Sequence, residues 1–591
     1  MQSLPAPAYQ PCNDRTSVSG SGTRRDFIKK SLLSTMGLLT LGNTGPKHDP
    51  STLKNIVLII TDDQRWDSLW AMPILKEKLI DRGVTFSNAY VTTPVCCPSR
   101  VSFLSGGYYA HNTGVITNSD GGNFRDTDSL ATEMQRRGYS TGFIGKYLNS
   151  YYPGYIPPGW THFVANYRGD MIHDWFNLEQ ITIGKSRTTP GQGQIIKKVR
   201  KYLTDFQFEQ ALKFLDQNGA SPFFLCLCPY APHAPMTPAP EDENKFPDAK
   251  LGPSHPAKNF SGKPAWLRQA VKHEFSWQTD RSYMKKLGCD YFRSLSAVDR
   301  GIGDIVQKIE DLGVTDDTLF VFTSDNGYLW GEHGVYDKGM PYEESIRVPL
   351  IIMEPGISPR VDHSLVAMNL DVPATLLELA HSDKKTDGLS LLPLLHQKAA
   401  HPRTELLIEC FGYLKYWSVY GFESPGLGRW TGLRTKTAAG EWKYVEYPTG
   451  EKELYDLQQD PQEIENKYPD PASRNILNTL SQKLDNLKGL MGTVVTVPEG
   501  VVGENYSLQL TAWGGKKPYT WSIVKGSLPE GLALNKKTGL IQGIPNDEFA
   551  DTIVFKVTSS SLAKHSHKPQ FYHSEHRIII KPSLPPSSAY E

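Results

Sequence analysis

Asn55-Ile56-Val57-Leu58-Ile59-Ile60-Thr61-Asp62-Asp63 is the stretch that decides the fold. Five apolar residues run without interruption into a pair of carboxylates. A run with no polar alternation fits a strand buried on both faces, as in a mainly parallel sheet covered by helices. Comparable runs occur at 141–144, 223–227, 319–323 and 348–352. Helical patterns lie between them, at 129–137 and over 291–312, where Leu295, Val298, Ile302, Ile305, Val306 and Ile309 recur near helical spacing. Strands alternating with helices predict an α/β layered domain.

Working outward, polar pairs follow four of these segments: Asp62-Asp63, Gly145-Lys146, Pro232-His233 and Asp325-Asn326. In open α/β sheets ligands bind beyond the carboxyl ends of the strands, so the four pairs predict one site. Asp62, Asp63, Asp325 and Asn326 offer only oxygen donors, which suit Ca²⁺ or Mg²⁺. Asp62-Asp63 alone could equally cap a helix. The sequence Thr323-Ser324-Asp325-Asn326-Gly327 after a second buried strand favours the ligand reading.

The pentapeptide Cys96-Cys97-Pro98-Ser99-Arg100 adds the reactive group. Its Cys-x-Pro-Ser-Arg pattern resembles type I sulfatases, in which that cysteine is oxidised to formylglycine. The resemblance covers about residues 55–490. Cys96 to Arg100, Gly145-Lys146-Tyr147-Leu148-Asn149 and the segment 155–160 most resemble N-acetylglucosamine-6-sulfatases. The implied fold is an alkaline-phosphatase-like α/β domain with a large mostly parallel sheet at 50–355. A smaller C-terminal α+β subdomain follows at 356–490, carried by Asn369-Leu370-Asp371, the stretch 387–395 and the stretch 453–463.

The resemblance also implies a mechanism. Cys96, once formylglycine, hydrates to a geminal diol; one hydroxyl attacks sulfur in line, and the second later expels sulfate. Asp62, Asp63, Asp325, Asn326 and the modified Cys96 would hold one Ca²⁺, with Mg²⁺ as the alternative ion. Arg100 would fix the hydrate, from one helical turn beyond Cys96. His111, as neutral imidazole, would take the proton of the second hydroxyl. Lys146 would bridge hydrate and sulfate, His233 would bind sulfate and protonate the leaving oxygen, and Lys338 would bind sulfate. Taken singly, such lysines and histidines are ordinarily solvated or structural; their order after the cysteine motif is what argues for function. His333 and Arg347 either line the pocket or serve packing, with a Glu344–Arg347 ion pair at helical spacing as the plainer reading of the latter.

The 591 residues carry 63 basic and 63 acidic side chains, so no global field steers the protein to nucleic acid or an anionic membrane. An anionic substrate must be recognised by local cations. The seven cysteines, Cys12, Cys96, Cys97, Cys226, Cys228, Cys289 and Cys410, are odd in number and show no disulfide framework. Cys226 and Cys228 share a strand face and read as small buried thiols.

Residues 1–45 read as an export signal: Thr23-Arg24-Arg25-Asp26-Phe27-Ile28-Lys29-Lys30 before a short apolar stretch resembles a twin-arginine leader, implying a bacterial periplasmic or secreted protein. No later run reaches the length of a membrane span. From 492 to 582, β-like runs at 494–497, 506–510, 519–523 and 552–557 predict a small β-sandwich. The stretch 528–545 resembles immunoglobulin-like modules of bacterial secreted proteins, a spacer or adhesion unit. Residues 583–591 read as a disordered tail.

The expectation is a sulfuric ester hydrolase acting on a sulfated mono-, oligo- or polysaccharide, with glucosamine 6-sulfate as the narrower substrate. Its other partner would be a formylglycine-generating maturase. Tyr151, Tyr152, Trp160, Tyr167 and Trp175 are candidate sugar-stacking rings at the mouth, though packing explains them equally. The alternatives are a phosphodiesterase or phosphonate hydrolase of the same superfamily, and a non-catalytic polysaccharide-binding protein.

Overall fold

The computed structural model describes residues 53–166, 176–249, 262–268, 281–412, 429–437, 440–468, 470–488, 491–492, 500–510, 512–513, 518–562 and 569–582. The export signal, Cys12, Tyr167, Trp175, the run 494–497 and the tail 583–591 lie outside them.

Ten strands form one mixed sheet: β1 (Asn55–Thr61), β2 (Val84–Phe86), β3 (Ser140–Gly145), β4 (His162–Ala165), β5 (Asn177–Gly184), β6 (Gln194–Arg200), β7 (Phe223–Cys228), β8 (Thr318–Ser324), β9 (Leu350–Met353) and β10 (Arg360–Asp362). Their order is β10-β2-β9-β8-β1-β7-β3-β4-β5-β6. The centre, β8-β1-β7-β3-β4, is parallel throughout. The margins are not: β9 runs antiparallel to β8, β5 to β4 and β6 to β5. The apolar run at 348–352 therefore forms a strand, but one that returns antiparallel. Between β8 and β9 the α-helix is the single turn Glu343–Ile346, too short to carry the chain back along the sheet to its other end, which a parallel return requires.

β1 shows why both faces are apolar. Ile56, Leu58 and Ile60 face a core shared with helices α1 (Cys96–Leu104) and α4 (Met368–Leu379). Val57 and Ile59 face the opposite core, shared with α2 (Leu203–Asn218) and α3 (Arg281–Asp311). The period of two sends successive side chains to opposite layers, so a strand covered twice is apolar between its ends, here between Asn55 and Thr61. Burying each such side chain contributes about 1.5–3 kcal/mol. Leu58→Ala is expected to cost about 2–5 kcal/mol, because Leu58 is fully enclosed.

Beyond this layer, β11 (Glu405–Phe411), β12 (Arg429–Thr437), β13 (Gly440–Glu446) and β14 (Lys452–Asp456) form an antiparallel sheet in that order. One face meets helix α5 (Arg474–Leu487) through Leu407, Leu433, Leu454, Leu480 and Leu484. The other packs Leu406, Ile408, Trp430 and Val445 against Tyr90, Tyr342 and Leu365 of the main layer. This is the smaller α+β unit. Further along, a four-stranded and a three-stranded sheet enclose a separate core of Tyr506, Leu508, Trp521, Ile541, Phe555 and Ile578, the all-β sandwich.

Candidate active site

The parallel strands carry their polar pairs to one place. Thr61 of β1 is in register with Ser324 of β8, so Asp62-Asp63 and Asp325-Asn326 leave adjacent strands side by side. Ile59 is level with Leu227 of β7, and Cys228 with Gly145 of β3. His233 and Lys146 therefore emerge on the other flank of β1. Asp63 adopts φ 65°, a left-handed conformation that Asp tolerates better than most residues. The Tyr291 hydroxyl holds that turn, donating to the Asp63 carbonyl at 3.2 Å and accepting from the Arg65 amide at 2.9 Å.

Cys96 is the first residue of α1, every residue of which is buried. Pro98 sits in the first turn, where its missing N–H costs nothing. The helix directs Cys96 Sγ to Asp62 Oδ1 at 3.5 Å and places Arg100 one turn on. Arg100 Nε donates to Asp325 Oδ2 at 2.8 Å, and Nη1 to the Lys146 carbonyl at 2.9 Å. Lys338 Nζ donates to Cys96 Sγ at 2.9 Å and also to Asp63. Lys146, wholly enclosed, pairs with Asp62. His233 Nδ1 meets the Ala234 carbonyl at 2.7 Å, and its Nε2 lies 3.6 Å from Asp63. Its side chain is 23% exposed, against at most 3% for Arg100, Lys146 and Lys338, so it stands at the opening.

The electrostatics follow from this crowding. Burial alone would raise the Asp62 carboxyl, but Lys146, His233 and Arg100 outweigh it and hold the group at about 2. Asp63 is lowered in the same way, with Lys338 opposing its burial. Burial and then Asp62 push the Cys96 thiol well up, so unmodified it stays protonated and a poor nucleophile.

These residues fit a divalent cation. Ligand atoms of Asp62, Asp63, Cys96 and Asp325 all lie within 4.8 Å of one another, and all four residues are buried. Asn326 donates through Nδ2 to Asp63 Oδ1 at 2.6 Å, while its buried Oδ1 has no hydrogen-bond partner among the described residues. A buried acceptor left open beside three carboxylates is costly unless a cation or donor meets it.

His111 is engaged by Glu409. Its Nδ1 meets both carboxylate oxygens of Glu409 at 2.8 Å, and its ring stacks with Tyr109 at 5.3 Å. Burial lowers its pKa, but Glu409 more than reverses this and raises it, the opposite of what a neutral base needs. His333 stacks on Tyr342 at 3.7 Å and lies 3.7 Å from Glu344. Arg347 donates to the Ser87 carbonyl and lies over Trp66. Cys97 is buried with its amide on Asn118 at 2.9 Å, and Cys226 and Cys228 are buried on one face with sulfurs 3.8 Å apart.

Comparison with known proteins gives this geometry a family. A sulfatase family model matches residues 54–382. The chain belongs to the sulfatase family. A model for the N-sulphoglucosamine sulphohydrolase C-terminal region matches 331–489, and an Ig-domain model matches 491–573. The sulfatase is 30% identical to human N-acetylglucosamine-6-sulfatase over 500 residues, 76% of this chain and 87% of the relative. It is 25% identical to N-acetylglucosamine-6-O-sulfatase of Bacteroides thetaiotaomicron, over 74% of this chain and 87% of that one. It spans about half the length, 53%, of an extracellular sulfatase Sulf-1 homolog from Caenorhabditis elegans, at 33% identity. Among solved structures it shares its fold with a protein in complex with D-glucosamine-2-N,6-O-disulfate, at TM-score 0.62 and 24% identity over 73% of this chain and 97% of that one. A phosphonate monoester hydrolase from Silicibacter pomeroyi shares the fold at TM-score 0.56 and 24% identity, over 73% and 94%.

Two features of the sulfatase escape its sequence motifs. Tyr291 holds the Asp63 turn and Glu409 holds His111 from far along the chain, and neither sits in a recognisable pattern. Among the candidate rings, Tyr151 and Trp160 are buried in the core beside Phe143 and Phe163, whereas Tyr152 is 70% exposed.

Proposed function

We propose that this sulfatase removes sulfate from a sulfated amino sugar of the glucosamine 6-sulfate class, with Cys96 matured to formylglycine. The observation that carries the reading is Cys96 Sγ, seated at a helix start, between Asp62 and Lys338. The names of its relatives support the substrate class. The modification supplies, on hydration, the two hydroxyls that a thiol lacks. Asp62, Asp63, Asp325 and Asn326, with position 96, are the residues that would hold Ca²⁺. The ion would polarise a bound oxygen and offset sulfate charge.

The chain's own groups then divide the work. Lys338 and Lys146 present buried ammonium groups to the reacting centre, where charge develops. Arg100 is a positioning residue: it clamps Asp325 and the Lys146 carbonyl and so sets the ligand shell. His233 Nδ1 carries a proton, because its carbonyl partner only accepts. Nε2 lies 3.6 Å from Asp63 at the open side, where it is placed to meet the leaving oxygen. His111 is assigned to joining the main layer to the smaller α+β unit through Glu409, not to base chemistry.

The folded export implied by the twin-arginine stretch, and maturation by a formylglycine-generating enzyme, complete the proposal. Sulfate release from N-acetylglucosamine 6-sulfate by matured protein tests it. Faster turnover of an aryl phosphonate than of an aryl sulfate would transfer the assignment to the phosphonate hydrolases that share the fold.

A further inference from the structure

We propose that β6, the open edge of the ten-stranded sheet, is an accessory anion-binding strip that holds the flanking length of a sulfated polysaccharide while one sugar occupies the site at Cys96. This rests on the sulfatase reading above and extends it from the reacting sugar to the polymer.

The charge is local. The chain as a whole is neutral, yet β6 reads Gln194-Ile195-Ile196-Lys197-Lys198-Val199-Arg200 and continues into Lys201. Lys197, Lys198 and Arg200 are exposed and make no ion pair with a described residue. Lys201 pairs with Glu209. Glu179 lies opposite Lys198 in register, whereas Lys197 points to the other face of the ladder.

The register places this charge on the catalytic side. Gly145, the residue before Lys146, is level with Ala165, then Thr182, then Ile195. β5 is antiparallel to β4 and β6 to β5, so β6 again runs toward the catalytic end. Residues beyond Ile195 therefore extend past the level of Gly145. At about 3.3 Å per residue, Lys197 stands roughly 7 Å and Arg200 roughly 17 Å beyond that row. Three strand spacings of about 4.8 Å put the strip roughly 14 Å sideways from Gly145. That is within reach of an extended saccharide whose end is seated at Cys96.

Aromatic surface lies against the same row. The Gly154 amide donates to Thr182 Oγ1 at 2.8 Å, and the Gly154 carbonyl accepts from Gly193 at 2.8 Å. This fixes the turn bearing Tyr152, 70% exposed, with Tyr155 and Ile195 also exposed nearby. The Gly154 turn lies against Ile195, on the face that Lys197 shares, while Lys198 and Arg200 rim the opposite face of the same edge strand, so rings for sugar faces and cations for sulfates occupy one sheet edge. The competing explanation is that lysines merely guard an open edge against pairing with another sheet.

Charge reversal separates the two, because glutamates guard an edge as well as lysines do. The test uses the full chain with Lys197→Glu, Lys198→Glu and Arg200→Glu combined, with the corresponding triple Gln variant as a milder second version. Tyr152→Ala tests the aromatic part. The readouts are retention on immobilised heparin, and kcat and KM for a 6-sulfated monosaccharide and for a sulfated hexasaccharide. The strip predicts elution at lower salt and a hexasaccharide KM raised about fivefold or more in the reversed variant, with monosaccharide constants unchanged. Tyr152→Ala should raise the hexasaccharide KM without altering the salt at which heparin is released. Unchanged retention and hexasaccharide KM in all three variants overturn the strip while leaving the sulfatase reading intact. Strip-dependent heparin retention by matured protein that releases sulfate from neither substrate would instead overturn the sulfatase reading and keep the surface.

Discussion

Lys338 Nζ donates to Cys96 Sγ at 2.9 Å, joining positions 242 residues apart in the chain. The lysine also pairs with Asp63, so one ammonium touches both the reactive side chain and a carboxylate of the acidic cluster. Lys338→Ala is expected to lower kcat on an aryl sulfate by about 10²–10³, the usual cost of losing one preorganised donor at developing charge. Steady-state kinetics on matured protein decide it; activity within threefold of wild type would remove Lys338 from the reacting centre.

Asp63 offers a clean probe of the cation. Its φ of 65° is tolerated by Asn, so Asp63→Asn keeps the turn and removes a charge. The variant should lose the rise in unfolding temperature that Ca²⁺ gives the chelator-treated wild type, and lose turnover with it. Asp63→Ala should in addition be about 1–2 kcal/mol less stable, from the left-handed backbone. An undiminished Ca²⁺ shift in Asp63→Asn would show that the ion binds elsewhere.

The His111–Glu409 pair gives a pH dependence. The folded-state pKa of His111 is raised above its ordinary value, because Glu409 outweighs burial. Such a group contributes stability that is fully present below the unfolded pKa, near 6.5, and fades as pH rises through the folded pKa. His111→Gln should therefore cost more stability at pH 6, about 1–3 kcal/mol, than at pH 9. Denaturant unfolding at the two pH values checks this, and an equal or larger cost at pH 9 would reverse the assignment.

Much of the architecture was legible because burial leaves a compositional trace. Asn55 to Ile60 reads as a doubly covered strand, and its neighbours read likewise; that fixed where the carboxylates had to lie. Direction left no such trace, so the apolar run that becomes Leu350–Met353 looked like the parallel strands yet returns antiparallel. The positions of Asp62, Cys96, Arg100, Lys146, His233 and Lys338 were readable from motifs and meet in space. His111 looked equivalent in sequence, but the Glu409 carboxylate that claims it is 298 residues away and is placed only by tertiary packing. Tyr291, 228 residues from the turn it pins, was invisible for the same reason. Aromatic residues carry no sign of depth, which is why Trp160 and Tyr152 read alike although one is core and the other rim.

The β-sandwich has a hydrophobic core of its own, built from Tyr506, Trp521, Ile541, Phe555 and Ile578. We expect truncation before Gly492 to leave kcat/KM on small aryl sulfates within about twofold, since among the described residues no group of the Cys96 cluster comes from the sandwich. A soluble, folded truncation without that activity would show that the two units do not function separately.

The most direct test is the mass of the peptide containing position 96, taken from protein that releases sulfate. We expect a peptide lighter than its cysteine form by the conversion of thiol to aldehyde, in proportion to specific activity, and no turnover in Cys96→Ala. A fully active preparation in which Cys96 is wholly unconverted would contradict it.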